Sequence, residues 1–213
     1  MVIEKVIFDV DLTLIDSFNG VHQIYCAVAN KLGLGKPSQD DLRGQWGKKI
    51  PDILAGLFGE NQRENVYKVL AEVSEGYEPP LFIGVSQALR TISEGGLSLG
   101  ILSTSDKRFF RPHLERSGVW GLFDLVVGGE DTKVRKPDPT VFAGFLKNHK
   151  PEKLVYVGDA LVDWEAARDA GLGLFLAVTT GHTSRNDFLF AGVPEVQILD
   201  SAASVPKALG FIG

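Results

Sequence analysis

The chain carries one cysteine, Cys26, in 213 residues. That excludes an intrachain disulfide framework and fits a reducing compartment. Cys26 sits in a helical apolar pattern with His22 one turn away, so a small buried hydrophobe is its expected role. Basic stretches are also missing. Lysine and arginine number 22 against 27 acids, for a formal net charge of −5, and no cationic stripe offers itself to nucleic acid. No apolar run is long enough to span a bilayer. The first residues enter an apolar run almost at once, so no signal peptide is expected. Repeats and low-complexity tracts are absent, and His22, His113 and His149 form no ligand-like cluster. The expectation is a cytoplasmic protein, monomeric or homodimeric, with neither a nucleic-acid nor a membrane partner.

What remains is an ordinary globular composition, 44% hydrophobic and 23% charged, long enough for one large domain or a domain with a smaller companion. Short apolar runs at Val2–Phe8, Leu97–Leu102, Leu125–Val127, Leu154–Val157, Leu174–Val178 and, weakly, Val196–Leu199 read as strands. Helical patterns lie between and after them at Val85–Ser93, Arg108–Ser117, Pro139–Asn148, Val162–Ala170 and Ala202–Leu209. This alternation predicts an α/β fold: a Rossmann-like parallel sheet with helices on both faces. Residues 17–80 break it. They hold four helical patterns, Val21–Leu32, Gln39–Gln45, Ile50–Phe58 and Gln62–Glu75, and no convincing strand. The expected organisation is a core of residues 1–16 and 81–213, with 17–80 inserted after the first strand as a helical cap.

Chemistry concentrates where strands end. The first strand runs into Asp9-Val10-Asp11-Leu12-Thr13, two carboxylates one residue apart beside a hydroxyl. Acids that close need a cation or a shared proton, and an oxygen-rich cluster suits Mg²⁺. The second strand ends in Ser103-Thr104-Ser105, and either Ser105 or Asp106 could cap the following helix. Lys136 precedes Pro137-Asp138-Pro139, and Gly158-Asp159 is followed four residues later by Asp163. Gly158 lets the backbone turn, and Asp163 falls in the first turn of the next helix. Four acids, a lysine and a hydroxyl suit phosphoryl transfer: a carboxylate nucleophile, charge neutralisation for the phosphoryl oxygens and a proton for the leaving oxygen.

These motifs, Asp9-x-Asp11-x-Thr13, Ser103, Lys136-Pro137-Asp138-Pro139 and Gly158-Asp159-x-x-x-Asp163, resemble the haloacid dehalogenase (HAD) superfamily in order and along almost the whole chain. The insert resembles the helical cap of its phosphoglycolate phosphatase-like and β-phosphoglucomutase-like branch. The resemblance implies Asp9 as a phosphorylated nucleophile with one oxygen on Mg²⁺, and Asp11 as general acid and base with its backbone carbonyl on the metal. It implies Thr13 as a loop support, Ser103 (or Thr104 or Ser105) as the phosphoryl-binding hydroxyl, and Lys136 as the balancing charge. Asp159 would be a direct metal ligand, and Asp163 a direct or water-mediated one. Asp11 also separates ester cleavage from dehalogenation, which has no leaving oxygen to protonate. The implied activity is Mg²⁺-dependent hydrolysis of a small-molecule phosphate ester. The alternatives are a sugar-phosphate mutase, a receiver-like domain and a non-catalytic phosphate-binding protein.

One residue departs from the family pattern: Leu12 stands where glycine is usual. A left-handed backbone there would cost leucine roughly 1–2 kcal/mol, so the expectation is a loop that takes a side chain without that conformation. In the insert, Arg43-Gly44-Gln45-Trp46-Gly47-Lys48-Lys49 is the specificity candidate, through Trp46, Gly47 and Lys48, with a solvated connecting loop as the alternative. His182 and Arg185 could edge the site or serve as loop and capping groups.

Overall fold

Successive residues of a strand face opposite sides of a sheet, and here both sides are filled. Val6 and Phe8 enter one core with Ile101, Val155 and Val157, while Ile7 enters the other with Leu102, Tyr156 and Phe175. The computed structural model describes residues 2–46, 48, 50–74 and 77–211. Its six strands are β1 (Lys5–Phe8), β2 (Ser98–Leu102), β3 (Phe123–Val127), β4 (Leu154–Gly158), β5 (Leu174–Val178) and β6 (Ile198–Leu199). All neighbours pair in parallel, in the order β3-β2-β1-β4-β5-β6. The α/β reading of the sequence holds.

Between β1 and β2 lie α1 (Phe18–Leu32), α2 (Gln39–Arg43), α3 (Ile50–Phe58), α4 (Arg63–Val73) and α5 (Val85–Glu94). The crossovers after β2 carry α6 (Lys107–Arg116), α7 (Ala143–Leu146), α8 (Leu161–Asp169) and α9 (Arg185–Phe190), and α10 (Val205–Ala208) follows β6. α5 buries Val85, Ala88, Leu89 and Ile92, the i, i+3, i+4, i+7 stripe of a helix with one apolar face. The chain divides into two compact units, Met1–Asp16 with Pro80–Gly213, and Ser17–Pro79. The first holds the sheet and the second holds α1 to α4. Among the described residues, no helix is long and apolar enough to cross a membrane.

Several boundaries differ from expectation. β1 begins at Lys5 rather than Val2, which is largely exposed beyond the sheet. Lys5 itself is buried, its ammonium bonded to the Asp124 carboxylate. The helix expected over 139–148 opens as a 3₁₀ turn, Pro139–Phe142, because Asp138 Oδ1 accepts the Thr140 N–H at 2.8 Å and tightens the first turn. α9 falls where only loop or capping groups were expected. Ser184 and Asp187 form a reciprocal capping box at its start, while its exposed Phe190 obscures any apolar stripe. Glu75, in the expected fourth helix of the insert, lies outside the described residues.

Candidate active site

β1 is the strand at which the sheet order reverses, and ligands in open parallel sheets gather at such a point, beyond the carboxyl ends. Phe8 is level with Ile101 on β2 and Val157 on β4, so Asp9 leaves the sheet beside the ends of both. Its N–H donates to the Val157 carbonyl at 2.9 Å, and its Oδ1 accepts the Val10 N–H at 2.8 Å. Asp9 is 8% exposed.

Lys136 reaches Asp9 from the loop after β3. Its ammonium lies 2.9 Å from Asp9 Oδ2 and 2.5 Å from Asp163 Oδ1, and it donates to the Tyr156 hydroxyl oxygen at 3.0 Å. Asp163, fully buried in the first turn of α8, also has the Tyr156 hydroxyl 3.1 Å from Oδ1 and accepts the Ala160 N–H on Oδ2 at 3.0 Å. Asp159 follows β4 directly and accepts the Thr13 hydroxyl at 3.1 Å. One oxygen each of Asp9, Asp159 and Asp163 lies within 4.8 Å of the others. Such a cluster could hold a metal ion.

Three buried carboxylates share one buried ammonium, and the imbalance shows in the titration of Asp9 and Asp159. Burial, reinforced by the Asp163 charge, pushes Asp9 up to about 7, against the opposing pull of Lys136. Asp159 is raised well above the usual range by burial and by the charges of Asp163 and Asp9. Burial alone would lower Lys136, but Asp163 and Asp9 outweigh it and hold the ammonium firmly protonated. The donor set is all oxygen and negative in excess, which is what a hard divalent cation offsets.

Two glycines make room for these acids. A Cβ on Gly158 would sit 2.5 Å from Asp163 Cγ, and one on Gly181, just after β5, would sit 1.9 Å from Asp159 Oδ2. The neighbouring Thr180 donates its hydroxyl to the Leu12 carbonyl at 2.5 Å. Leu12 overturns the expectation stated for it: its φ is +59°, and it is the only non-glycine residue with positive φ among the described residues. The loop keeps the left-handed turn that glycine would take freely. It holds leucine there by burying the side chain and bonding its amide to the Ile15 carbonyl and its own carbonyl to Thr180.

The hydroxyls after β2 take separate places. Ser103 is buried, and its Oγ accepts the Ser105 N–H at 3.1 Å. Thr104 lines a narrow cleft with Ser103, Arg135 and Lys136. Ser105 donates to Asp11 Oδ2 at 2.5 Å. The helix cap expected from Ser105 or Asp106 is supplied otherwise: Asp106 occupies the N-cap position without a side-chain cap bond, and Glu130 accepts the Lys107 N–H at 3.1 Å.

In the helical unit, Trp46 packs edge-on against Phe18 at 5.1 Å, and Lys48 bonds Gln45 at 2.8 Å. Gly47 and Lys49 lie outside the described residues. Arg185 pairs with Asp200 at 3.1 Å, and His182 is exposed in the preceding loop. A larger surface hollow, about 420 Å³ and lined by residues including Pro139, Leu146 and Ala170, contains none of the acids. Sequence reasoning missed Tyr156, Thr180 and Gly181. Tyr156 is hidden in an apolar run, and the other two lie in a loop whose turn residues carry no motif.

Residues 6–177 match the family model for haloacid dehalogenase-like hydrolases. The chain belongs to that family. A phosphoglycolate phosphatase of Synechococcus elongatus is 31% identical over 192 residues, covering 88% of this chain and 89% of the relative. One from Rhodobacter capsulatus is 28% identical over 185 residues, covering 83% and 84%. A Thermotoga maritima structure provisionally named a β-phosphoglucomutase superposes with a TM-score of 0.77 at 25% identity, covering 99% of this chain and 100% of its own. Within the family the chain falls in the branch of phosphoglycolate phosphatases and β-phosphoglucomutases.

Proposed function

We propose that this HAD-family enzyme is a Mg²⁺-dependent phosphatase that hydrolyses a small-molecule phosphomonoester, of phosphoglycolate or sugar-phosphate type, through an aspartyl-phosphate on Asp9. The observation that carries the reading is the position of Asp9, 2.9 Å from Lys136 and grouped with Asp159 and Asp163. A carboxylate must be ionised to attack phosphorus. Lys136 opposes the burial that would keep Asp9 protonated.

In the first half-reaction a carboxylate oxygen of Asp9 bonds to phosphorus, the bond from phosphorus to the ester oxygen breaks, and Asp11 gives its proton to the departing alkoxide. In the second, Asp11 takes a proton from water, the water oxygen bonds to phosphorus, and the Asp9–phosphorus bond breaks to release phosphate and restore the carboxylate. Ser103 and Lys136 bind the phosphoryl oxygens. Asp9, Asp159 and Asp163, with the Asp11 backbone carbonyl, would hold Mg²⁺. Bound there, the ion supplies neutralising charge for the phosphoryl oxygens. Thr13 steadies Asp159 through its hydrogen bond. The helical insert selects the leaving alcohol, with Trp46, Gly47 and Lys48 as its candidates.

The phosphoglycolate phosphatase relatives support hydrolysis. A mutase reading, in which a second sugar hydroxyl replaces water in the second half-reaction, is favoured by the Thermotoga maritima likeness. Phosphate release from a phosphometabolite panel, with Mg²⁺ or with chelator, separates them. Net Mg²⁺-dependent phosphate release is expected. Its absence across the panel would sink the phosphatase reading, and isomerised sugar phosphate without net release would favour the mutase.

A further inference from the structure

Ser105 has no place in the chemistry so far. It belongs to a run of three hydroxyl residues, any of which suits a phosphoryl oxygen by type alone, yet it is turned away from that task. The Ser103 hydroxyl accepts the Ser105 N–H at 3.1 Å, a side-chain-to-backbone turn that fixes the Ser105 backbone. From there Ser105 Oγ reaches across 94 residues of sequence to Asp11 Oδ2 at 2.5 Å, the short range of a hydroxyl bonded to a carboxylate.

Asp11 needs such a partner more than the other acids do. Asp9 and Asp163 are held by Lys136, and Asp159 by Thr13. Asp11 is half-buried at the mouth of the loop and stands outside the Asp9, Asp159 and Asp163 group. A group that passes a proton must point at the oxygen receiving it. A hydroxyl is both donor and acceptor. It can therefore donate to the Asp11 carboxylate and accept from the carboxylic acid, and one partner can serve both protonation states. An ammonium could serve only the ionised one.

We propose that Ser105 is a positioning residue that aims the Asp11 carboxyl at the leaving oxygen. The inference rests on the phosphatase reading above. It predicts a defect graded by the leaving group, because a phenolate departs with little help and an alkoxide needs the proton. The test compares kcat/KM, which reports the steps through phosphorylation of Asp9, for p-nitrophenyl phosphate and for a simple alkyl phosphate. Ser105→Ala should lose roughly 10–100-fold on the alkyl ester, part of the ~10²–10⁴-fold that general acid catalysis supplies. On the aryl ester it should lose no more than about threefold. Ser105→Thr, which keeps the hydroxyl, should restore most of the alkyl rate, and Asp11→Asn should show the same bias with larger amplitude. Equal losses on both esters would mean a phosphate-binding or structural role and overturn the inference, as would an alanine variant that behaves as wild type. A wild-type protein inactive on both esters would instead defeat the phosphatase reading, and this inference with it.

Discussion

Grouping Asp9, Asp159 and Asp163 behind one ammonium makes the metal-free protein sensitive to pH in an unusual direction. Asp9 titrates at about 7 in the fold against 3.8 as an ordinary side chain. Its folded form binds the proton more tightly than the unfolded chain does. The resulting stability is complete below 3.8 and is lost as pH rises through about 7, the reverse of a salt-bridged aspartate. A difference of about 3 pKa units at 1.36 kcal/mol each sets a ceiling of about 4 kcal/mol from Asp9, and Asp159 acts with the same sign. About 2 of those units, roughly 2.7 kcal/mol, fall between pH 5 and about 7. At about 2–4 °C per kcal/mol for a chain this size, Tm in chelator should fall by about 5–11 °C between pH 5 and pH 8 from Asp9. Carboxylates held low by local hydrogen bonds, Asp41, Asp138 and Asp187 among them, change below that window and leave it clear. Thermal melts of wild type and Asp9→Asn test the effect, because asparagine does not titrate and, with the Asp9 charge gone, Asp159 is raised less as well, a change of the same sign. The variant should show a clearly shallower fall, and Mg²⁺ should raise the wild-type Tm most at pH 8. A wild-type Tm that is flat or rising over this range in chelator, or a variant with the wild-type slope, would refute the reasoning.

Other consequences are as specific. Gly181→Ala places a Cβ 1.9 Å from Asp159 Oδ2, so Asp159 must move. Mg²⁺ affinity, read by titration against stability, should weaken about 10–100-fold, as when a supporting partner of a metal ligand is lost, while far-ultraviolet circular dichroism stays native. At Leu12 the usual order of alanine and glycine should invert. Both variants lose a buried leucine, at roughly 2–5 kcal/mol, but glycine also relieves the φ of +59°, worth about 1 kcal/mol. Urea denaturation should find Leu12→Gly more stable than Leu12→Ala; the opposite order would mean that the turn carries no strain.

The sheet was legible because parallel strands buried on both faces must be apolar throughout, and runs such as Leu174–Val178 carry that mark without turn residues inside them. α9 was not, since Phe188 is buried while Phe190 is exposed, and a six-residue helix holds too few turns to show a stripe. Asp9, Asp159, Asp163 and Lys136 could be singled out because acids and lysine at strand ends stand out against apolar runs, and the fold brings those four together. Tyr156 could not, because a tyrosine within an apolar strand looks like core until its hydroxyl is seen 3.1 Å from Asp163. Thr180 was hidden for a related reason: its role depends on the carbonyl of Leu12, 168 residues away. Leu12 shows where pattern reading misleads. The residue type argued against a left-handed turn, and the loop around it imposes that turn.

The central claim is that Asp9 becomes phosphorylated. An aspartyl-phosphate is an acyl phosphate, and borohydride reduces it to homoserine where it leaves a free carboxylate intact. Enzyme turning over a phosphate ester with Mg²⁺, quenched in acid, reduced and mapped by peptide mass spectrometry, should carry homoserine at position 9. Enzyme quenched without substrate should carry aspartate there. Substrate-dependent homoserine at another position, or turnover with no reducible acyl phosphate, would contradict the account.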